Sequence, residues 1–458
     1  MAEYTETDTT ARNSSTNRSL RPQPDGKLAD KGARPRADKY IIAFYVALCI
    51  ISTIELYSAS SREITSDNVF GPLLRHLRMM AIGIATCIVA ARIQLKYYIR
   101  YTPVFVTCSV LAMIYVLING DIINGARRSF SFFGLLSVQP VELLKISAVL
   151  IVAYIMSRTS ETKGVQTKGV VWSAAIVLLF CGLMFNQGLT NTLLLMGISL
   201  SMMLIGGVQW KKFFAVLLVY GVVGAGAMAF KMHSSDDKDK KEVSTEQALI
   251  METGVDAEGN KATIDRWSTW TARINRFLDN SKPKYEQPIT SENRQEMYGY
   301  MAQANGGVFG VLPGNSRETA RLPLAFSDYI FSIVVEDWGF IGGFLLLFIY
   351  LSLLGRAGVI AMRCDRAFPS MVILGLAVMI VIQALFHMAI VTGVFPVSGQ
   401  PLPMISMGGT SMIVTSLAFG IMLSISKYVS VEGRKKSSSS ADNTDELGAA
   451  NPTQISNI

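Results

Sequence analysis

Long apolar runs separated by short polar stretches repeat along the chain from Tyr40 to Lys427. They fall at roughly 40–58, 73–91, 101–119, 139–157, 169–185, 188–207, 212–230, 326–354, 368–395 and 404–427. An α-helix rises 1.5 Å per residue, so about 20 apolar residues cross the roughly 30 Å hydrocarbon core of a bilayer. The pattern predicts an all-α fold, a polytopic membrane protein of about ten transmembrane helices. Composition agrees: of 458 residues, 50% are hydrophobic and 17% charged, and the mean hydropathy of +0.36 does not suit a soluble globular protein.

The expected organisation has five parts: a disordered cytoplasmic N-tail at 1–38, helices one to seven within 39–230, one large extracytoplasmic loop at 231–325, helices eight to ten within 326–428, and a disordered cytoplasmic C-tail at 429–458. The N-tail has no apolar h-region or cleavage site, so no signal peptide is expected to be removed. Net charge is +8, from 42 Lys+Arg against 34 Asp+Glu, and its meaning depends on where the basic residues sit. They occupy alternate loops: Arg34, Arg36 and Lys39; Arg92, Lys96 and Arg100; Arg158, Lys163 and Lys168; Lys211 and Lys212; Arg356, Arg363 and Arg366; then Lys427, Arg434, Lys435 and Lys436. By the positive-inside rule both termini are cytoplasmic, and the charge implies no nucleic-acid partner. Cys49, Cys87, Cys108 and Cys181 lie in apolar runs and Cys364 in a basic loop; His76, His233 and His387 are far apart. Neither a disulfide framework nor a His-based metal centre is expected.

Charges inside apolar runs are costly and therefore candidates for function. Glu142 and Lys145 stand near the start of the fourth run, and Asp328, Glu336 and Asp337 in the eighth. Glu142 and Lys145 are spaced to pair on one helix face, either as an ion pair that fixes packing or as part of a site. Topology puts these groups in the outer half of the membrane, beside the outward loop that holds Arg127 and Arg128. Cations on one wall and carboxylates on the other suit an anionic head group, because guanidinium and ammonium groups bind phosphate strongly. The segment from Phe395 to Ser411 is too dense in Pro and Gly for a regular helix. It reads as a re-entrant or broken segment, or as an ordinary short loop.

The long loop opens with a charged stretch, Ser234 to Glu242, then runs through Trp267, Trp270, Arg273, Arg276 and Asp279. From Tyr298 to Pro323 it is rich in Gly and small residues, which favours tight turns and backbone lying close to a ligand or to other helices. This part is expected to lie back on the membrane domain.

Several of these stretches together resemble the SEDS family of shape, elongation, division and sporulation proteins. Asn124-Gly125-Ala126-Arg127-Arg128 followed by Gln139-Pro140-Val141-Glu142-Leu143-Leu144-Lys145 is similar to the family's NGA-R-R and QPSE-x-x-K signatures. Gly306 to Ser316 resembles its GG-x-x-G-x-G-x-GNS run, Leu322 to Asp337 its LP-x-x-x-x-DFIF…EE run, and Pro396 to Ser411 its P-x-x-G-x-PLP-x-x-S-x-GG-[ST]-S run. The wording of the last stretch is most like division-type members from Bacteroidetes-like bacteria. There are departures: Val141 stands for Ser, Ser129 for Trp, His387 for Asn, and Asn186 to Thr192 for a PDLGTA-like element. In the long loop the family's F-x-[DN]P-x-x-DP-x-GSGYQ run corresponds to Phe277-Leu278-Asp279-Asn280 to Gln295, without an evident second Asp.

The resemblance implies a peptidoglycan glycosyltransferase that polymerises lipid II during septal wall synthesis in the bacterial cytoplasmic membrane. It also implies a class B penicillin-binding protein of the FtsI-like transpeptidase kind and other divisome proteins as partners, besides membrane lipids. The general base would be one of Asp279, which matches the first carboxylate of the loop run, or Glu286 or Glu292, which lie nearer the second. Substrate-binding residues would be Arg127, Arg128, Gln139, Glu142, Lys145, Asn315, Asp328, Glu336 and Ser406. A divalent cation, magnesium or manganese, is the one cofactor considered, as an alternative to the cationic side chains on the pyrophosphate leaving group. The competing readings are an elongation-type polymerase, a lipid II flippase and a non-catalytic divisome scaffold.

Overall fold

The computed structural model describes residues 36–60, 71–123, 126–132, 136–161, 164–185, 187–236, 266–278, 286–290, 293–322 and 325–449. The apolar runs become α1 (Lys39–Ser60), α2 (Gly71–Arg92), α3 (Leu95–Asn119), α4 (Pro140–Arg158), α5 (Thr167–Phe185), α6 (Leu189–Ile205) and α7 (Trp210–Asp236). After the long loop's α8 (Arg266–Leu278) and α9 (Arg294–Gly306) come α10 (Ile330–Met362), α11 (Ala367–Val391) and α12 (Gly409–Ala449). Among the described residues nine helices are long and apolar enough to cross a membrane, and α6 is an apolar helix shorter than 18 residues. Helix boundaries differ from the hydropathy runs where polar chemistry intervenes. Pro140 sits in the first turn of α4, where its missing N–H costs nothing. The start of α12 is delayed to Gly409 by the Pro-rich stretch before it, and the helix continues to Ala449, past the point where composition predicts an unfolded tail.

Burial sorts the helices. Within the spans of α4 and α12, 78% of residues are buried, and 67% in α11, against 22% for α2 and α3 and 17% for α7. The central helices are thus α4, α11 and α12, whose apolar residues face protein all round, while α2, α3 and α7 turn broad apolar faces outward. Gly375 of α11 lets Val149 of α4 and Met202 of α6 approach, since a Cβ there would stand 2.8 Å from Val149 Cγ1 and 2.9 Å from Met202 Cε.

The segment before α4 is a three-stranded antiparallel meander of β1 (Asp121–Ile123), β2 (Ala126–Phe132) and β3 (Leu136–Val138), with Phe130 opposite Val138 and Phe132 opposite Leu136. A second ribbon pairs β4 (Ser160–Glu161) with β5 (Gly164–Val165). Both are small additions to a helical fold.

The Gly-rich run of the long loop lies against α10. That helix is broken at Gly339, with φ 72° and ψ −170°, a conformation essentially closed to other residues. The freed backbone groups are satisfied by the loop: Val311 N–H donates to Glu336 O (2.9 Å), Leu312 N–H to Asp337 O (2.9 Å), and Phe340 N–H to Gly307 O (2.9 Å). A Cβ on Gly310 would stand 2.2 Å from Asp337 O, and one on Gly339 2.2 Å from Val308 O. The glycines therefore serve backbone-to-backbone contact with another helix, one of the two uses their density predicts.

Candidate functional site

Polar groups gather at the end of the bundle where α10 begins, α11 ends and α12 begins. The connection from α11 to α12 is irregular from 392 to 408, as its Pro and Gly content predicts, and it is held by side chains. Ser406 Oγ donates to Ser327 O (2.6 Å) and accepts from Leu402 N–H (2.7 Å), while Met407 N–H donates to Phe326 O (2.9 Å). Tyr350 Oη donates to Pro403 O (2.5 Å), and His387 Nδ1 lies 2.5 Å from Gln400 O. Gly399, at φ +61°, leaves room for Asp328: a Cβ there would be 2.9 Å from Asp328 Oδ2.

Helix α8 lies on this segment. It is amphipathic, and Arg273 Nη1 donates to Val397 O (3.1 Å). Arg273, Arg276 and Phe277 of α8, Gln295 and Glu296 at the start of α9, and Pro396 and Val397 line a small cavity of about 40 Å³. Helix α9 is itself anchored. Asn293 receives Thr290 N–H on Oδ1 (2.7 Å) and donates from Nδ2 to Pro288 O (3.0 Å), and Gln303 Nε2 donates to Val391 O (2.9 Å).

Burial of Arg273 pushes its guanidinium below the ordinary arginine value, against the pull of Tyr329 and Asp328, with Arg276 adding like-charge repulsion. An arginine does not lose its proton on that account, so the site holds a desolvated cation that would gain from an anion. Burial also pushes up the phenols of Tyr300 and Tyr329, each with Glu296 nearby adding to the rise, which keeps both as neutral donors. Tyr300 Oη donates to Glu296 Oε1 (2.9 Å), whereas the buried Tyr329 Oη has no hydrogen-bond partner among the described residues.

The residues singled out in the sequence fall into groups. Lys145 and Glu142 are both buried and pair at 2.7 Å, so that ammonium is already neutralised. Glu336 is fully buried and caps the loop: it accepts from Ser316 Oγ (2.5 Å), Arg317 N–H (2.9 Å) and Glu318 N–H (3.4 Å). Asn315 is exposed and donates to Val311 O (3.1 Å). Gln139 is half-buried, in extended backbone just before α4, and Asp328 accepts from Ser327 Oγ (2.9 Å) beside Arg273. Glu286 is exposed. Arg127 and Arg128 are placed as backbone positions of β2, and their side chains lie outside what is described. Asp279 and Glu292 lie outside the described residues.

Sequence reading passed over the polar residues of the first two runs. Glu55 of α1 is fully buried and accepts from Trp338 Nε1 (2.5 Å), with Asp337 nearby. His76 of α2 lies 3.0 Å from Ser52 Oγ, which donates to Ile405 O (3.1 Å) in the broken segment. The signal was a lone Glu and a lone His, each within or at the edge of an apolar run. Among the described residues no three His, Cys, Asp or Glu side chains stand together as metal ligands.

These features define a multi-pass helical membrane protein with its polar chemistry at one end of the bundle. Residues 38–431 match the family model of FtsW, RodA and SpoVE, described as a cell cycle protein, and the chain belongs to that family. It is similar to the probable peptidoglycan glycosyltransferase FtsW of Polynucleobacter necessarius subsp. necessarius (strain STIR1), 27% identical over 89% of each chain. It is also similar to two Bacillus subtilis (strain 168) proteins at 26% identity: the probable peptidoglycan glycosyltransferase FtsW, over 87% of this chain and 93% of that one, and stage V sporulation protein E, over 85% and 97%. A chain from a structure on the coordination of polymerization and crosslinking by a peptidoglycan synthase complex aligns with a TM-score of 0.59 at 22% identity, over 86% of this chain and 98% of that one. Thermus thermophilus rod shape determining protein RodA aligns with a TM-score of 0.55 at 20% identity, over 85% and 96%. Both likenesses show a shared fold.

Proposed function

We propose that this chain is a peptidoglycan glycosyltransferase that polymerises lipid II into glycan strands at the division septum. It would sit in the bacterial cytoplasmic membrane with both termini cytoplasmic and a class B penicillin-binding protein as its transpeptidase partner. The observation that carries the reading is Arg273, a half-buried guanidinium from the long loop, tied to the broken segment at Val397 and set beside Asp328 and Arg276. Support for the activity comes from the names of the relatives, and support for the partner from the synthase complex among the solved structures.

In the reaction the hydroxyl of one lipid-linked sugar attacks the anomeric carbon of another. A carboxylate takes the hydroxyl proton as the new glycosidic bond forms, and the undecaprenyl pyrophosphate leaves with the electron pair of the broken C–O bond. Arg273 and Arg276 are the cations suited to the leaving group, with Arg127 and Arg128, while Lys145 is occupied by Glu142. Asp279 is the preferred base because it follows Arg276 by three positions in the sequence; Glu286 and Glu292 are its alternatives. A requirement for magnesium or manganese is carried as part of the proposal.

The test is glycan-strand synthesis from purified lipid II by the protein co-purified with its penicillin-binding protein, with and without chelator. Asp279→Ala, or one of Glu286→Ala and Glu292→Ala, is expected to cut the rate by about 10²–10⁴, the worth of a general base, and Arg273→Ala to suppress it too. Unchanged rates in all four variants would refute the assignments. No polymer from wild type in a preparation that still holds its partner would favour a flippase or scaffold.

A further inference from the structure

Away from this site, α1 and α2 diverge to leave a groove floored by the end of the α12 span, with a volume of about 630 Å³. Its walls are apolar: Ile42, Val46 and Ile50 of α1 face Ile84 and Ile88 of α2. The two polar groups along its length are satisfied internally, Thr53 Oγ1 donating to Cys49 O (2.9 Å) and Tyr45 Oη bonding Ser416 Oγ (3.0 Å). From Ile42 to Ile54 the groove follows α1 for about 18 Å at 1.5 Å per residue. That length suits a fatty-acyl chain and is far short of a long polyprenyl chain.

Two cations close one end, Arg92 at the last residue of α2 and Lys427 on α12. Lys427 Nζ donates to Ala91 O (2.9 Å), which uses one of its three N–H groups and holds it over the end of α2. Neither cation has a carboxylate partner among the described residues. Asp38, just before α1, is committed to Arg356, whose Nε lies 3.1 Å from each carboxylate oxygen. The result is an apolar, acyl-length channel with a basic pair at its mouth that has no carboxylate partner among the described residues.

We propose that this groove binds an anionic phospholipid of the leaflet on the basic side, the acyl chain along α1 and α2 and the phosphate between Arg92 and Lys427. The positive-inside distribution makes that the cytoplasmic leaflet. The proposal is independent of the transferase chemistry at the other end of the bundle, and its test reads lipid binding rather than polymerisation.

The experiment is native mass spectrometry of the full chain titrated with phosphatidylglycerol, phosphatidylcholine or undecaprenyl phosphate. Phosphatidylglycerol is expected to bind and to outlast phosphatidylcholine. The double variant R92Q/K427Q is expected to weaken phosphatidylglycerol by about twenty-five-fold, a factor of about five for each basic residue near an anionic lipid. I50W, which fills the groove and leaves the cations in place, is expected to weaken both phospholipids. Equal retention of the two phospholipids by wild type would overturn the proposal without recourse to any variant. So would a properly folded R92Q/K427Q that keeps its phosphatidylglycerol. Tighter binding of undecaprenyl phosphate would replace the proposed occupant with a polyprenyl lipid.

Discussion

Gly339→Ala tests whether the loop and the helix break depend on each other. The residue has φ 72° and ψ −170°, where any side chain costs about 1–3 kcal/mol of backbone strain. The added Cβ would also meet Val308 O at 2.2 Å and Gly310 N at 2.5 Å, both backbone atoms that cannot rotate away. Relief requires moving residues 307–312 off α10, which breaks the bonds from Val311, Leu312 and Phe340 N–H. At about 1 kcal/mol for each bond, the total is roughly 4 kcal/mol or more. The same helix supplies controls: Gly355 and Gly358 are helical with nothing near a built Cβ, and Ala there is expected to be neutral or to stabilise by up to about 1 kcal/mol. Thermal unfolding in detergent, followed by loss of the monodisperse peak, should put Gly339→Ala roughly 5 °C or more below wild type. Gly355→Ala should be at or above it. Equal midpoints for the two would mean that the loop does not brace the break, and the reasoning would fail.

Three further outcomes follow from the buried polar groups. Lys145→Ala strands Glu142 without its partner and is expected to cost about 3–5 kcal/mol, while the double variant E142Q/K145M, which removes both charges at once, should be much milder in the same unfolding assay. Glu336→Ala leaves Ser316 Oγ and the N–H groups of Arg317 and Glu318 without their acceptor and is expected to destabilise by about 3 kcal/mol, with Glu336→Gln retaining part of that. Burial opposes ionisation of Asp38, but Arg356 and the N–H groups of Ile41 and Tyr40 outweigh it and hold the carboxyl below its ordinary 3.8. A lowered native value means the contribution is present above about pH 4 and lost as pH falls through the native value. Midpoints measured from pH 6 to pH 3 should therefore drop more steeply for wild type than for Asp38→Asn.

The helical framework was legible because a bilayer forces it: apolar length and loop charge are set by the solvent, so hydropathy placed every span to within a few residues except at the start of α3 and the ends of α7, α10 and α12. The meander at 121–138 was not legible, since its strands are short and its pairing is tertiary. The charges of the eighth run stand out in the sequence, yet the partners they meet come from elsewhere in the chain. Glu336 meets Ser316, and Asp328 meets Gly399 and Arg273. Glu55 was invisible for the opposite reason, a single carboxylate in an otherwise apolar helix whose partner, Trp338, is 283 positions away.

Two kinds of buried charge are thus distinguished by their company. Glu142 and Lys145 are paired with each other and Glu336 accepts from Ser316, Arg317 and Glu318, so a substrate group that engaged them would compete with those bonds. Arg273 has one hydrogen bond to a carbonyl, Asp328 nearby, and a second cation, Arg276, lining the same cavity with Glu296. Assembling two guanidinium groups over a segment already broken by Pro and Gly is unfavourable in isolation, and an anion of more than one charge reverses that cost. If the proposed function holds, a pyrophosphate is expected to bind more tightly than a single phosphate, and that preference would belong to the loop helix rather than to the Glu142–Lys145 pair. The loop helix can exert it only because the 392–408 segment is pinned from below by Ser406, Tyr350 and His387.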